Sequence, residues 1–243
     1  MKKRLQVILS HAGVASRRKA AEIIADGRIS VDNVVVREKG LQVDPGQSKI
    51  RMDGRPLSEE EKIFYVLNKP KGVITTASDE RGRRTVLDFI PLKSHRIYPV
   101  GRLDKDTEGA LILTNDGSAA HRLTHPRFGV AKIYAVEVKG AIGDGDIKRL
   151  EKGVYLDGKK TQPCVIKVVG QTPGRMTLRI ELHEGRKRQI RRMIEKVGGR
   201  VTRLIRIWYA GIGLGSLGRG QYRRLTKKEI RLLKESCMIY DGK

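Results

Sequence analysis

Two segments of the chain, 134–138 and 176–182, alternate apolar and polar residues with the period of a β-strand. This alternation is typical of antiparallel strands that bury one face. The apolar runs 63–68 and 110–114 predict two further strands, both buried, and each runs into a turn. Together the four segments predict an α+β fold: a large, mostly antiparallel mixed sheet flanked by helices.

The start of the chain predicts two short helices followed by a hairpin. Residues 4–12 have helical apolar spacing, and Gly13 suits the left-handed residue that ends such a helix. Ser16 is the expected N-cap of a second helix, which ends at Gly27. Short apolar runs on either side of a turn predict a hairpin over 29–36. We expect a small, separate module.

A polar, acidic segment, 56–61, follows the hairpin region, and we predict that it is a linker between this module and the rest of the chain. We therefore predict a first domain at residues 1–60 and a second at 61–243. Near the end of the chain, Thr226 and Glu229 have the spacing of a capping box that opens a last helix through Leu233.

The chain carries 51 Lys and Arg against 27 Asp and Glu, a net charge of +24. Such an excess opposes folding and favours polyanionic partners. Nucleic acid is the first candidate and an acidic membrane surface the second. No apolar run approaches the ~20 residues that span a bilayer. The basic start is followed by only three apolar residues, 7–9, so we expect no signal peptide and a cytoplasmic protein.

Metal and disulfide chemistry are not indicated. Cys164 and Cys237 are too few for a disulfide framework or a metal cluster, so reduced thiols are expected. The five histidines are scattered, and none lies at metal-ligand spacing from another His or a Cys. We predict no metal site.

The densest positive charge lies at 186–206. Apolar residues within 186–197 keep helical spacing, so we predict an amphipathic helix there, with Arg191 at the rim of its apolar face. A second basic cluster, 81–84, follows a predicted strand and turn at 73–79, and a third opens the second helix. We predict that the RNA-contacting cations are Arg17, Arg18, Lys19, Arg83, Arg84, Arg186, Lys187, Arg188 and Arg192.

The segment 101–109 joins two predicted strands and carries Asp104 between cations. Glycines at both of its ends permit tight turns. A carboxylate in this setting stays ionised and can serve as a nucleophile or a base. The same acid-rich loop could equally be a turn or a cation site. Trp208 and Tyr209 could form a stacking platform for bases, but a core role is at least as likely.

The first module resembles the S4 RNA-binding domain. Its hallmark is a helix beginning Ser-Arg-Arg and ending near a Gly-x-Ile/Val-x-Val-Asp/Asn run. The chain has Ser16-Arg17-Arg18 and Gly27-Arg28-Ile29-Ser30-Val31-Asp32 at these places. The resemblance covers roughly residues 3–50 and implies that the module binds RNA.

The rest of the chain resembles the pseudouridine synthases of the RsuA and RluA type. The segment 101–109 matches their catalytic motif, Gly-Arg-Leu-Asp-x-x-Thr-x-Gly. Segments 67–72, 132–134 and 184–193 match three further motifs of the RsuA branch, in the expected order. Segments 82–86 and 125–132 look most like those of the branch members that act on the large ribosomal subunit.

The resemblance implies a reaction and a role for each residue. A uridine is detached from its ribose at N1, rotated and rejoined through C5, without a cofactor. Asp104 would act on the flipped nucleotide at C1′, C6 or C2′, and Arg191 would pair with it. Tyr134 would stack on the base, and Arg102 would fill the gap left in the RNA stack. The expected partner is ribosomal RNA, 23S or a precursor of the 50S particle, and the protein is expected to be a monomer.

Two alternatives stay open from the sequence. One is a synthase acting on 16S ribosomal RNA. The other is a ribosome-assembly factor that binds RNA through its S4 module without chemistry. A membrane-surface protein is a third, less favoured hypothesis, because the basic helix predicted over 186–197 lacks an exposed aromatic or leucine face.

Overall fold

A computed structural model describes residues 2–58, 60–91 and 96–237. The contacts divide the chain into two units. The first contains the described residues up to Ile63, with Arg96 and Asn115–Gly117, and the second contains the rest. The domain boundary expected between residues 60 and 61 stays a prediction. No helix in the described ranges has the length and apolar character needed to cross a membrane.

The first unit has the two helices and the hairpin that the sequence predicts. Ser16 caps α2, since its Oγ accepts a hydrogen bond from the Lys19 amide at 3.2 Å. Gly13 has a φ of +78°, as expected for the end of α1. The elements are β1 (Lys3–Arg4), α1 (Leu5–His11), α2 (Arg17–Ala25), β2 (Ile29–Val31), β3 (Val34–Val36), β4 (Gln42–Val43), β5 (Ile50–Met52) and β6 (Arg55–Pro56).

The acidic segment 56–61, which we predicted to be a linker, is partly included in the first unit's sheet. Arg55–Pro56 forms β6 and pairs with β5, and the Leu57 amide donates to the Ile50 carbonyl oxygen at 3.0 Å. The start of the segment therefore belongs to the four-stranded sheet β3-β2-β5-β6. Glu59 lies outside the described residues.

The second unit is built on a nine-stranded mixed sheet, counted over the described residues. Its main path is β13-β14-β10-β15-β9-β7-β17, with β16 on β15 and β8 on β9. Its nine strands are β7 (Phe64–Lys69), β8 (Tyr98–Pro99), β9 (Glu108–Thr114), β10 (Lys132–Lys139), β13 (Val165–Thr172), β14 (Arg175–Leu182), β15 (Arg200–Tyr209), β16 (Ile212–Gly213) and β17 (Tyr222–Arg224). The strands β11 (Tyr155–Leu156) and β12 (Lys159–Lys160) pair with each other in a separate two-stranded sheet.

Besides the 3₁₀ helices Val86–Phe89 and Pro126–Phe128, four α-helices accompany this sheet in the described part of the second unit. They are α3 (Gly117–Thr124), α4 (Asp144–Glu151), α5 (Gln189–Glu195) and α6 (Lys227–Glu235). Thr226 and Glu229 cap α6 reciprocally, as predicted. Of the pairings on the main path, only β9 with β15 is parallel, so the mostly antiparallel sheet of the α+β prediction is confirmed.

Two local predictions were wrong, and one strand was missed. The helix expected over 186–197 begins only at Gln189, so Arg186, Lys187 and Arg188 precede it in a loop. Residues 73–79 form no strand and make one isolated bridge, between Ile74 and Thr85. The segment 200–209, taken only as a basic stretch, is the strand β15 between β9 and β10.

Candidate active site

The loop that carries Asp104 runs from Gly101 to Thr107, between β8 and β9, and backbone contacts fix it at several points. Leu103 is buried; its amide donates to Thr75 Oγ1 at 3.3 Å, and that hydroxyl donates to the Leu103 carbonyl oxygen at 2.8 Å. The Thr107 amide donates to the Asp104 carbonyl oxygen at 3.0 Å and closes a turn. The half-buried Asp104 side chain therefore projects from a well-defined backbone.

Gly109 joins the end of this loop to the middle of the sheet. Its φ is +109°, and an added Cβ would overlap the backbone of Arg206. Only glycine allows β9 and β15 to approach this closely in that conformation. The second glycine of the motif therefore fixes the loop that carries Asp104 against β15.

A buried ammonium group lies under the loop. Lys69 ends β7 fully buried, and its Nζ donates to the carbonyl oxygens of Pro70 (3.1 Å), Asp104 (3.2 Å), Lys105 (3.4 Å) and Thr107 (2.9 Å). Burial lowers the pKa of Lys69 to about 8, although the charge of Asp104 and neighbouring acids raises it. Lys69 thus binds the loop backbone from inside the protein.

A cleft of about 980 Å³ opens above the loop, within the second unit. Asp104, Tyr134 and Arg102 all line it, so the structure brings these three predicted residues together. Arg102 is exposed, whereas Asp104 and Tyr134 are half-buried. The other predicted residues that line the cleft are Arg83, Arg186, Lys187 and Arg188.

An irregularity between β10 and β15 brings Arg206 opposite Tyr134. The pairing shifts by one residue between Ile133 and Tyr134, so Tyr134 lies opposite Arg206 and Ile133 opposite Trp208. A β-bulge of this kind re-aims side chains. Because directly opposed residues point to the same face, Tyr134 and Arg206 lie side by side on the face that lines the cleft.

Arg191 lies differently from the expectation. It is buried rather than at a half-exposed rim, and it lines a separate niche of about 430 Å³. Its Nη2 donates to the Asp106 carbonyl oxygen at 3.1 Å and its Nη1 to the Val201 carbonyl oxygen at 3.3 Å. Among the described residues, Arg191 makes no ion pair with Asp104 within 4.0 Å.

The two groups are nevertheless close enough to interact electrostatically. Burial and the charge of Arg188 lower the pKa of Arg191, while Asp106 and Asp104 raise it. Arg191 therefore supports the loop through the backbone and places its positive charge near the Asp104 carboxylate.

Several predicted RNA-binding cations are already engaged within the protein. Arg83 pairs with Asp79 at 2.6 Å, and Arg192 pairs with Asp157 at 2.6 Å. Arg186 binds Glu184 at 3.1 Å and also donates to the carbonyl oxygens of Lys159 and Lys160. Arg84 does not line the cleft and lies over the Phe89 ring at 4.3 Å.

Lys187 and Arg188 are exposed beside the cleft and make no ion pair with any described residue. In the first unit, Arg17 and Arg18 are exposed and likewise unpaired within the described ranges. Lys19 pairs with Glu22 at 2.8 Å. The cations most available to phosphate are therefore Arg17, Arg18, Lys187 and Arg188.

Three residues at the site were missing from the predicted set. Lys69 and Lys132 were quoted only as parts of motifs, and Arg206 only as part of a basic stretch. Tyr209, left out of the predicted site, is buried and lines the cleft, and its hydroxyl donates to the Leu123 carbonyl oxygen at 2.9 Å. Trp208 is 41% exposed, so its suggested core role is wrong.

Comparisons with known proteins agree with this arrangement. Residues 63–196 match the RNA pseudouridylate synthase family, and residues 3–48 match the S4 domain. The chain is 42% identical to the ribosomal large subunit pseudouridine synthase B of Bacillus subtilis, over 95% of both chains. It is 44% identical to an RNA pseudouridine synthase of Mycobacterium leprae, over 95% of this chain and 91% of the relative.

Among solved structures, a crystal structure of a pseudouridylate synthase superposes with a TM-score of 0.68. It is 27% identical and the match covers 95% of this chain and 99% of that one. The expected resemblances to the synthase family and to the S4 domain are thus both confirmed. This chain belongs to the RNA pseudouridylate synthase family and carries an amino-terminal S4 domain.

Proposed function

We propose that this chain converts a specific uridine of 23S ribosomal RNA to pseudouridine, with Asp104 as the nucleophile acting on a flipped-out nucleotide. The observation that carries the proposal is the shared cleft of Asp104, Tyr134 and Arg102. A volume of about 980 Å³ suits a nucleotide with its flanking phosphates. The large-subunit assignment rests on the Bacillus subtilis relative, whose name gives that subunit.

The reaction is an isomerisation, so no atom is gained or lost. The N1–C1′ bond breaks, a C5–C1′ bond forms, and the proton on C5 is replaced by one on N1. Asp104 supplies a carboxylate that acts on the nucleotide, and the positive charge of Arg191 lies near it. Tyr134 packs against the base inside the cleft.

Base flipping leaves a gap in the RNA stack and costs a few kcal/mol. Arg102 is exposed on the catalytic loop, so its guanidinium can enter that gap and lie near phosphate as well. Lys187 and Arg188 at the cleft, and Arg17 and Arg18 of the S4 domain, contribute phosphate contacts. The protein acts as a monomer on ribosomal RNA or on an assembling subunit.

The test compares Asp104→Asn with Asp106→Asn, a neighbouring exposed acid whose side chain makes no hydrogen bond among the described residues. Each purified variant is incubated with ribosomal RNA from a strain lacking the protein, and pseudouridine is mapped by carbodiimide labelling. We expect Asp104→Asn to abolish a single 23S signal and Asp106→Asn to retain it. A wild-type rate for Asp104→Asn would refute the nucleophile, and a signal confined to 16S RNA would refute the substrate.

A further inference from the structure

Two cations lie together on the floor of the cleft. Arg206 on β15 is only 3% exposed, and its Nε donates to the Ala110 carbonyl oxygen at 2.8 Å. Its Nη2 is buried and has no hydrogen-bond partner within the described ranges. Lys132 on β10 is close enough for the charge of Arg206 to depress its pKa, which burial already lowers, to about 8. Both residues line the cleft.

Neither cation forms an ion pair with a carboxylate of the residues that the structure describes. Glu184 is the acid whose charge acts on Lys132, but its oxygens already accept from the Gln162 amide (2.9 Å), Gln189 Nε2 (2.6 Å) and Arg186 Nε (3.1 Å). Arg206 makes no ion pair with any described acid.

The contacts that these two cations make within the described residues are with neutral groups. The Arg206 guanidinium lies over the Tyr209 ring at 4.3 Å, and Lys132 Nζ donates to the Val130 carbonyl oxygen at 2.8 Å. A buried arginine with a free N–H is costly unless a partner binds it. Because burying this N–H without a partner costs free energy, we expect the ligand to supply an oxygen that accepts its hydrogen bond.

The position of the pair identifies that acceptor. Arg206 is directly opposite Tyr134 in the strand register, and Lys132 lies two residues before Tyr134, on the same face of β10. A base that packs against Tyr134 therefore has its ring edge next to Arg206 and Lys132. The exposed cations Lys187 and Arg188 lie elsewhere in the cleft lining, on the loop before α5. Phosphate groups can bind those exposed cations, so Arg206 and Lys132 remain available to the base.

We infer that Arg206, assisted by Lys132, forms a subsite for the uracil carbonyl oxygen that becomes negatively charged during the reaction. When the N1–C1′ bond breaks, its electron pair stays on the uracil ring and spreads over N1 and the carbonyl oxygens. The carboxylate of Asp104 takes C1′, or the proton at C2′. When C5 bonds to C1′, the Asp104 carboxylate is released from C1′, or Asp104 returns its proton to C2′. The uracil ring is then neutral, and the C5 proton is transferred to N1. This inference rests on the proposed function.

A cationic group in place before this charge develops stabilises the transition state more than the bound substrate. It also keeps the detached uracil in the cleft while the ring rotates. A phosphate oxygen of the flipped nucleotide is the other acceptor with similar chemistry. Kinetics and binding distinguish these two acceptors. Loss of a contact to the uracil carbonyl lowers the rate of bond cleavage, whereas loss of a contact to phosphate lowers the affinity for RNA and its salt dependence.

The test uses Arg206→Met, which removes the charge at similar volume, and Arg206→Lys, which keeps it. Arg179→Met, an exposed cation of β14 outside the cleft, is the matched control. Single-turnover rates of N1–C1′ bond cleavage are measured on the 23S transcript that the wild type modifies, made with uridine or with 5-fluorouridine at the target. Cleavage is the step compared because 5-fluorouridine has no C5 proton to transfer to N1. Fluorine stabilises the uracil anion by itself, so it reduces the need for Arg206.

With uridine, we expect Arg206→Met to lose about 100- to 1,000-fold in rate. With 5-fluorouridine the loss should be about tenfold smaller, because the leaving anion is intrinsically more stable. Arg206→Lys should keep most of the rate, and Arg179→Met all of it. Thermal unfolding of Arg206→Met should match the wild type or exceed it, since an uncompensated buried charge is removed.

If Arg206→Met loses the same factor in rate on both substrates, the inference is overturned. The same holds if its loss of rate is accompanied by a lower melting temperature, because Arg206 would then be a structural residue. A weaker, less salt-dependent affinity with an unchanged saturated rate would assign the pair to phosphate instead. Conversion of the uridine transcript by the wild type tests the proposed function separately. If that conversion is absent, both proposals fail; if only the Arg206 pattern is absent, the proposed function stands.

Discussion

Lys69 Nζ donates a hydrogen bond to the Asp104 carbonyl oxygen at 3.2 Å, from the buried end of β7. The same ammonium binds the Thr107 carbonyl oxygen at 2.9 Å, so both ends of the turn that carries Asp104 share one donor. The strand that ends at Lys69 and the loop are thereby fixed relative to each other. Lys69 therefore positions the carboxylate through the backbone, since among the described residues it forms no ion pair with it.

Replacing Lys69 with Met should displace this turn, because the buried carbonyl oxygens lose their common donor. A displacement of about 1 Å at the reacting group costs about 100-fold in rate. We also expect a loss of about 1–3 kcal/mol in the free energy of unfolding. Single-turnover kinetics and urea unfolding measure the two effects. The exposed neighbour Lys71→Met is the control, and equal behaviour of both variants would contradict the role of Lys69.

The depressed pKa of Lys69 predicts how stability varies with pH. Its pKa is about 8 in the folded protein and 10.5 in the unfolded chain. Between these values the unfolded state binds more protons, so this residue contributes stability that increases as pH rises from 8 towards 10.5. Below pH 8 both states are protonated and the contribution is constant. Urea unfolding at pH 8, 9 and 10 should show this rise in the wild type relative to Lys69→Met, and a constant difference would disprove it.

The features that could be read from the sequence are those with local signals. The Ser16 cap, the turn at Asp32 and the Thr226 capping box each involve a few adjacent residues, and all are present in the structure. The alternating strands β10 and β14 were found because each buries one face. The motif glycines located the loop that carries Asp104 between two strands.

The features that the sequence did not predict depend on packing between distant parts of the chain. In β15, cations at Arg200, Arg203 and Arg206 hide the alternation, and one of them is buried. Charge composition cannot tell a buried arginine from an exposed one, so Arg206 was counted with the surface charge. Arg191 was misplaced for a related reason. A helical wheel gives the angle around α5, but the Asp106 carbonyl oxygen that binds the guanidinium comes from another part of the chain.

Arg191 should act by supporting the loop and by placing charge near Asp104. Arg191→Met removes the donors to the Asp106 and Val201 carbonyl oxygens, so we expect a loss of about 100-fold in rate. Arg191→Lys keeps the charge but lacks the forked donor geometry. The Lys variant should retain more activity than Met at a similar melting temperature. If both variants lose activity equally, the charge near Asp104 is unimportant and only the loop support matters.

Arg102 is expected to matter most when the target uridine is stacked. The cost of flipping is a few kcal/mol in a stacked context and less in a flexible single strand. Arg102→Ala should therefore slow conversion more on a target held in a helix than on the same sequence without pairing. Arg102→Lys should resemble Ala on the helical target, because an ammonium does not stack as a guanidinium does. The comparison needs two transcripts, and identical losses on both would exclude the gap-filling role.

The exposed cations of the S4 domain should set affinity without affecting chemistry. Arg17 and Arg18 are unpaired within the described ranges, so each can displace a counterion from phosphate, whereas Lys19 already pairs with Glu22. Each of Arg17→Ala and Arg18→Ala should reduce the slope of log affinity against log salt by about 0.7–0.9. Lys19→Ala should change it less, and Arg231→Ala, an exposed cation of α6 paired with Glu235, should leave it unchanged. Filter binding at several salt concentrations gives the slopes, and rates at saturating RNA should equal the wild-type rate. A changed saturated rate would place Arg17 or Arg18 in the catalytic step and contradict a purely electrostatic contact.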